Sequence, residues 1–239
     1  MRRIHPDIED NPDIEQAYAY PPDRPWLRLN MVSSADGGAW LKGLSAGLSS
    51  KGDRRIFGVL RGLSDVILAG AATVRAEGYG PAKPRESWRG LRAGRPAAPP
   101  VAVLTRRLDL DLSRPLFTEA RPDARPIVIT CAAAPADRRA EAAALAEVIV
   151  AGDDRVDLER AVRELHDRGL TRILCEGGPK VNGQLAAAGL IDELCLSVSP
   201  LLIGGDAARV LNGETCQVNL TLRQVLEEDG ALFCSYVRE

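Results

Sequence analysis

Histidine, lysine and long apolar runs are scarce in this 239-residue chain. The two histidines are His5, near the start, and His166, among charged neighbours. A Ser-His-Asp triad or a histidine-based metal site therefore has little to build on, and no metal site is expected. Four of the 31 basic residues are lysines (Lys42, Lys51, Lys83 and Lys180), so 31 − 4 = 27 are arginines. The five cysteines are odd in number and form no C-x-x-C pair. That argues against a disulfide framework and fits a reducing, cytoplasmic compartment. No run approaches the roughly 18 apolar residues of a membrane span. The opening MRRIHPDIEDNPDIEQ turns acidic where a signal peptide would be apolar. The formal charge, 31 − 33 = −2, gives no whole-protein field for nucleic acid or an anionic membrane. The dinucleotide fingerprint G-x-G-x-x-G is absent too.

What remains is globular: 45% apolar and 27% charged residues. Residues 1–25 are polar, proline-rich and aromatic-tipped, and are expected to form an arm on the surface or on a partner chain. A second Pro/Gly/Arg-rich stretch, Gly78 to Pro100, is the longest expected loop, and loops of that length are usually functional or mobile. Elsewhere short apolar runs alternate with helical patterns. The expected strands are Leu27–Ser33, Val66–Ala69, Val101–Leu104, Ile127–Thr130, Glu147–Val150 and Thr171–Cys175. The expected helices are Lys51–Arg61, Ala72–Ala76, Ala136–Ala146, Arg155–Arg168 and Pro179–Ala187. Asp153 or Asp154 is the expected cap of the fourth helix, and Gly169 its left-handed terminator. Alternation of this kind implies a mostly parallel sheet with helices on both faces. The last third reads instead as strands, Glu193–Ser199, Thr221–Leu226 and Leu232–Arg238, with a hairpin turn at Glu228-Asp229-Gly230. The sheet is expected to end in antiparallel edge strands.

Three glycine-containing strand exits are candidates for chemistry. At Gly70-Ala71-Ala72-Thr73 a strand runs directly into a helix, whose free N–H groups attract phosphate while glycine permits close approach. An ordinary strand-to-helix turn explains the same residues equally well. At Glu176-Gly177-Gly178-Pro179-Lys180 a second buried strand ends in two glycines, with proline at the first helical position. Lys180 lies in the first turn, the end a cation normally avoids, and a phosphate between would account for it. Glu176 stands at a strand's carboxyl end, where open α/β sheets bind ligands. At Ser33-Ser34-Ala35-Asp36-Gly37-Gly38 hydroxyls, a carboxylate and glycines form a flexible loop or an exposed turn. Leu104-Thr105-Arg106-Arg107 closes another strand with a hydroxyl and two guanidiniums, which suit a phosphomonoester. Cys175, among apolar neighbours, reads as an inert thiol.

In this order the segments resemble the reductase domain of riboflavin biosynthesis, a branch of the dihydrofolate reductase-like fold. The pieces are S-x-D-G (Ser34, Asp36, Gly37), G-x-S (Gly43 to Ser45) leading to Leu48 and Ser49, and Leu60-Arg61. D-x-I-L-x-G-x-x-T (Asp65 to Thr73), E-G-G-P (Glu176 to Pro179) and D-E-L-x-L (Asp192 to Leu196, then Pro200, Gly204, Gly205) complete the set. The resemblance spans Trp26 to the C-terminus and implies a single reductase domain, residues 26–239, with a doubly wound, mostly parallel sheet binding NADPH.

On that resemblance Gly70, Ala71, Thr73, Gly177, Gly178, Pro179 and Lys180 bind the pyrophosphate. Thr105 and Arg106 meet the adenosine 2′-phosphate, and Ser33 and Asp36 lie near the nicotinamide. Ser45, Leu48, Ser49, Arg61 and Glu176 face the substrate and its phosphate, with Glu176 or an ordered water as candidate acid. The family reduces the open-chain or imine form of a ribosylamino-pyrimidinedione phosphate, and pairs as homodimers. The chain departs from the family where Lys or Arg usually follows S-x-D-G (Gly38), where Trp often follows G-x-S (Gly47), and at Glu77-Gly78-Tyr79-Gly80, which replaces a phosphate-binding arginine run. Lys42, Lys51 or Arg75 are the candidates to compensate. H-x-E and P-C-x-x-C, marks of the deaminase domain often fused upstream, do not occur. Two alternatives follow: a related reductase of a pterin, folate or other heterocycle, from the departures, and a non-catalytic NADP-binding protein, from the absence of a convincing proton donor besides Glu176.

Overall fold

A computed structural model describes residues 1–239 throughout. In chain order the elements are β1 (Arg2–His5), β2 (Glu9–Asp10), α1 (Ile14–Ala17), β3 (Trp26–Ser34), α2 (Lys51–Leu63), β4 (Val66–Gly70), α3 (Ala71–Ala76) and β5 (Val101–Leu104). Then come α4 (Pro115–Thr118), β6 (Ile127–Thr130), α5 (Ala136–Leu145), β7 (Glu147–Val150), α6 (Leu158–Asp167) and β8 (Arg172–Cys175). The chain ends with α7 (Pro179–Ala187), β9 (Glu193–Ser199), β10 (Leu220–Glu228) and β11 (Ala231–Arg238). They form two compact units, residues 62–174 and residues 1–61 with 175–239.

In the 62–174 unit the strand order is β8-β4-β5-β6-β7, and the β4–β5, β5–β6 and β6–β7 pairs are parallel. Every residue of β4, β5 and β6 is buried, which requires cover on both faces, as a doubly wound arrangement provides. Asp65, at the head of the D-x-I-L motif, accepts from the Arg172 backbone N–H at 2.9 Å and the Arg95 guanidinium at 2.9 Å. It is a staple at the amino end of the sheet. The long 78–100 stretch is pinned rather than loose. Trp88 is buried, and the guanidinium of Arg92 donates to the carbonyls of Gly62 and Ser64 at the end of α2. Arg95 adds a bond to Leu63 O, so two arginines satisfy carbonyls that a helix end leaves bare. Burial, with Arg95 nearby, pulls the Arg92 pKa down to about 10.

α6 starts three residues later than the pattern implied. Its cap is Asp157, which accepts from Arg160 N at 3.0 Å, and not Asp153 or Asp154. Asp153, Asp154 and Asp157 all offer capping carboxylates to sequence inspection, and only the backbone turn selects one. Gly169 takes φ +75°, as the helix terminator requires.

In the other unit the order is β2-β1-β10-β11-β9-β3. β3 and β9 are parallel, whereas β9–β11, β11–β10, β10–β1 and β1–β2 are antiparallel. Asp229 and Gly230 join β10 to β11 with φ of 55° and 78°, the paired positive values of a tight hairpin turn. Residues 1–25 add β1, β2 and α1 to this unit, and Tyr18 and Tyr20 are buried.

The amino end of β3 is held by an ion pair with no solvent contact. Arg28 Nε and Nη2 both lie 2.8 Å from Glu193 Oε2. Trp26 Nε1 and Ser235 Oγ donate to the same carboxylate at 2.9 and 2.7 Å, and the guanidinium lies 4.1 Å from the Tyr20 ring centroid. Burial alone would push the Glu193 carboxyl up; the Arg28 charge and the donated bonds hold it below its ordinary value. Asp192 accepts from Leu27 N at 2.7 Å. Asp192 and Glu193 of the D-E-L motif thus staple strands together.

Candidate active site

In the unit of residues 1–61 and 175–239 the strongest polar feature is a fork on a carboxylate. α2 ends its amphipathic run at Leu60-Arg61, and Arg61 lies on the partly exposed side of the helix. Its Nε and Nη2 donate to Glu176 Oε1 and Oε2, each at 2.7 Å. The side chains are 19% and 3% exposed respectively, so the bidentate pair is largely desolvated and strong in geometry. Arg61 also stacks 4.3 Å over Phe57, one turn earlier on the same face. Both oxygens of Glu176 therefore accept from the Arg61 guanidinium.

Directly after Glu176 the chain turns through Gly177, φ +88°, and α7 starts with Gly178 at its cap and Pro179 first. Gly178 carries no side-chain cap, which leaves the first N–H groups of a nine-residue helix open to an anion. A Cβ at Gly177 would sit 3.3 Å from Met31 Sδ and 3.4 Å from the Asn182 amide, so the turn is pressed against β3. Lys180 is exposed in the first turn. Asn182 is fully buried, donates to Val210 O at 2.7 Å and to Met31 Sδ at 3.2 Å, and accepts from Cys175. It ties the helix start to residues 200–213, a loop also joined to α7 by Asn212 N bonding Pro179 O at 2.9 Å. Burial pushes the Cys175 thiol up to about 12, so it is an inert packing group, as expected.

The exit of β3 holds the same loop from the other side. Ser33 and Ser34 are buried. Asp36 is exposed and accepts from Gly204 N at 2.7 Å, Ile203 N at 3.2 Å and the hydroxyl of Ser34. The Ser34 hydroxyl and then these backbone donors hold its carboxyl below the ordinary aspartate value. A carboxylate fixed in this way is a loop tie.

At the start of α2, Ser45 lies in a short 3-10 turn and Leu48 is buried. Ser49 donates to Asp53 Oδ2 at 2.5 Å, and Ser197 of β9 donates to Asp53 Oδ1 at 2.6 Å. Asp53, Asn182, Phe57 and Ser197 were not singled out in the sequence. A signal existed only for Asp53: Ser50-x-x-Asp53 resembles a capping box, and Ser50 Oγ does accept from Asp53 N at 3.0 Å.

In the 62–174 unit, Gly70 ends β4 and pairs with Leu104 of β5. The Gly70–Thr73 turn and Thr105-Arg106 therefore leave neighbouring strand ends. Gly70 and Ala71 are buried, Thr73 is half-buried, and α3 is only six residues long. Thr105 is buried and bonds Ile129 O through its N–H at 2.9 Å. Arg106 is exposed, with Nε donating to Asp154 O at 2.9 Å. Arg75, a candidate replacement for the missing basic run, is held by Asp109 O and lies 3.4 Å from the Asp109 carboxylate. Lys42 and Lys51 are exposed.

A family model described as the RibD C-terminal domain matches residues 25–231. The chain is 32% identical over 192 residues to a 2,5-diamino-6-ribosylamino-4(3H)-pyrimidinone 5′-phosphate reductase of Methanothermobacter thermautotrophicus, covering 80% of this chain and 85% of that protein. A protein of the same name from Archaeoglobus fulgidus is 30% identical over 198 residues, with coverage of 80% and 88%. Among solved structures, a pyrimidine reductase-like protein of Corynebacterium diphtheriae superposes with a TM-score of 0.85 at 29% identity, over 95% of this chain and 99% of that one. The Saccharomyces cerevisiae riboflavin biosynthesis reductase Rib7 superposes with a TM-score of 0.68 at 16% identity, covering 95% of each chain, a likeness of fold.

Proposed function

The chain belongs to the RibD C-terminal domain family, and we propose that it is an NADPH-dependent reductase of the ribosylaminopyrimidine phosphate intermediate of riboflavin biosynthesis. The observation that carries this reading is the Arg61–Glu176 fork directly followed by the uncapped Gly177-Gly178-Pro179 helix start. A rigid carboxylate beside an anion-accepting turn suits a substrate with ring and exocyclic N–H groups next to a phosphorylated cofactor.

The cofactor supplies hydride. The α7 start fits its pyrophosphate because the first N–H groups point out uncapped. Gly178, Pro179 and Lys180 belong to this contact, and Gly70, Ala71 and Thr73 form a second phosphate-binding turn. Arg106 and Thr105 take the 2′-phosphate, which favours NADPH over NADH. Ser33 borders the nicotinamide, and Asp36 acts there by fixing residues 203–204.

Substrate is oriented by Ser45, Leu48, Ser49, Arg61 and Glu176. Reduction of the imine adds hydride at carbon and a proton at nitrogen. Glu176 accepts from substrate N–H groups and holds the plane of the C=N bond, and water delivers the proton. Orientation of this kind accounts for much of the rate in hydride-transfer enzymes.

The family's homodimer has a suitable surface. On one face of the β9–β11 pair, Leu232 lies across from Val198, Cys234 from Leu196 and Tyr236 from Leu194, an apolar strip with Leu232 36% exposed. Five free cysteines fit a reducing cytoplasm, and no helix is long and apolar enough to cross a membrane. The test is oxidation of NADPH by purified protein, followed by nicotinamide absorbance. The phosphorylated ribosylaminopyrimidine is expected to turn over. Turnover of dihydrofolate or a pterin alone would support the other reductase reading, and tight NADPH binding without turnover of any of them the non-catalytic one.

A further inference from the structure

Asp53 is a buried carboxylate with no cationic partner. It sits at the third position of α2, where the helix dipole favours a negative charge, and each of its oxygens accepts one serine hydroxyl, from Ser49 and from Ser197. A hydroxyl has one hydrogen and two lone pairs. Both serines have therefore spent their hydrogen on Asp53. Ser197 and Asp53 are buried while Ser49 is half-buried, so Ser49 Oγ is the outer member of the triad and presents lone pairs only. Ser197 lies opposite Val32, near the carboxyl ends of β3 and β9, the edge where open α/β sheets take ligands.

We propose that Asp53 is a positioning residue that fixes Ser49 as a hydrogen-bond acceptor, so that Ser49 recognises a hydroxyl of the substrate's sugar chain and not its phosphate. The proposal rests on the reading above that Ser49 faces substrate. The physical reason is the direction of the hydrogen bond: a phosphate oxygen meeting Ser49 Oγ would place acceptor against acceptor. A sugar hydroxyl instead donates to Ser49 and extends a cooperative chain, hydroxyl to Ser49 to Asp53. Ser49 is then not the replacement for the missing basic residues.

The test is an enzyme–substrate cycle with Ser49→Ala and the ribosylaminopyrimidine with and without its phosphate. The expected result is a KM raised by about three- to tenfold for both substrates by the same factor, with little change in kcat. Asp53→Asn, whose amide can donate to Ser49 and turn its hydrogen outward, is expected to raise KM similarly. The double variant should cost no more than Ser49→Ala alone, and the NADPH dissociation constant should stay unchanged. A merely structural Asp53 would give additive losses and weaker NADPH binding, which overturns the positioning role. If Asp53→Asn fails to fold, the Ser49→Ala cycle decides alone. A Ser49→Ala penalty that vanishes when the phosphate is removed overturns the proposal while leaving the proposed function intact. No wild-type turnover of the phosphorylated substrate overturns the proposed function and this inference with it.

Discussion

Removing the guanidinium from the Arg61–Glu176 fork is the perturbation with the clearest magnitude. Two N–H···O contacts of 2.7 Å join the groups, and the Glu176 side chain is 3% exposed. Stripping one partner from a fully buried pair costs about 3–5 kcal/mol, because the other charge is left without compensation. Arg61 is 19% exposed, so water can reach the vacated space and the expected cost falls to about 2–4 kcal/mol. A further loss of about 0.5–1 kcal/mol comes from the stacking on Phe57. Arg61→Ala is therefore expected to lower unfolding free energy by that amount in urea titration. It is also expected to lower kcat/KM by about 10²-fold, as a misplaced orienting carboxylate does. Arg61→Lys keeps the charge but not the fork and should fall between. A stability within about 0.5 kcal/mol of wild type, the range of an ordinary surface change, together with unchanged kcat/KM, would refute the reasoning.

Other expectations come from separate parts of the molecule. Arg106→Ala should weaken NADPH by about ten- to hundredfold, the worth of a charge-assisted bond, and leave NADH nearly unaffected; isothermal titration with both cofactors measures this, and equal losses remove Arg106 from the 2′-phosphate. Glu193→Gln should cost about 3–5 kcal/mol in thermal or urea unfolding, since it strands the fully buried Arg28 charge. The depressed Asp36 pKa means that its loop tie contributes fully above the ordinary aspartate range. That contribution is lost as pH falls below that range through the depressed folded value. Hydrogen-exchange protection at Ile203 and Gly204 N–H, relative to the intrinsic rate at each pH, should accordingly fall in acid, and Asp36→Asn should show lowered protection without this pH dependence.

Much of the fold was legible because its strands are short, apolar and punctuated. Val101–Leu104, Ile127–Thr130, Glu147–Val150 and Pro179–Ala187 match the expected bounds residue for residue. Proline or glycine lies within two residues of one end of each run, at Pro100, Pro126, Gly152 and Gly189, and a fully buried parallel strand such as β5 or β6 has little freedom in where it stops. β1, β2 and α1 were not foreseen. Two of them have four residues and one has two, too short for a period to register, and they form because β10 offers an edge to pair with. The 78–100 stretch looked loose by composition. What pins it is Arg92 and Arg95 bonding the carbonyls at the end of α2, and a guanidinium's partner is invisible in a chain with so many arginines.

For the site, the order of motifs singled out Glu176, Gly177 and Arg61, and the fork joins Arg61 to Glu176. It did not reveal that this fork occupies both oxygens of the presumed acid. Nor did it reveal Asp53, whose partners Ser49 and Ser197 are 4 and 144 residues away. A pairing of that span is set by packing α2 against β9, a tertiary fact that no local pattern encodes.

The central claim is that hydride passes from a nicotinamide cofactor to the sugar-derived carbon of a ribosylaminopyrimidine phosphate. Turnover with NADPH carrying deuterium on the transferring face of its nicotinamide, followed by mass spectrometry of the product, tests it most directly. The account predicts a ribitylamino product carrying one deuterium on the reduced carbon of the sugar chain. NADPH consumption without label in that product, or no product at all, would contradict it.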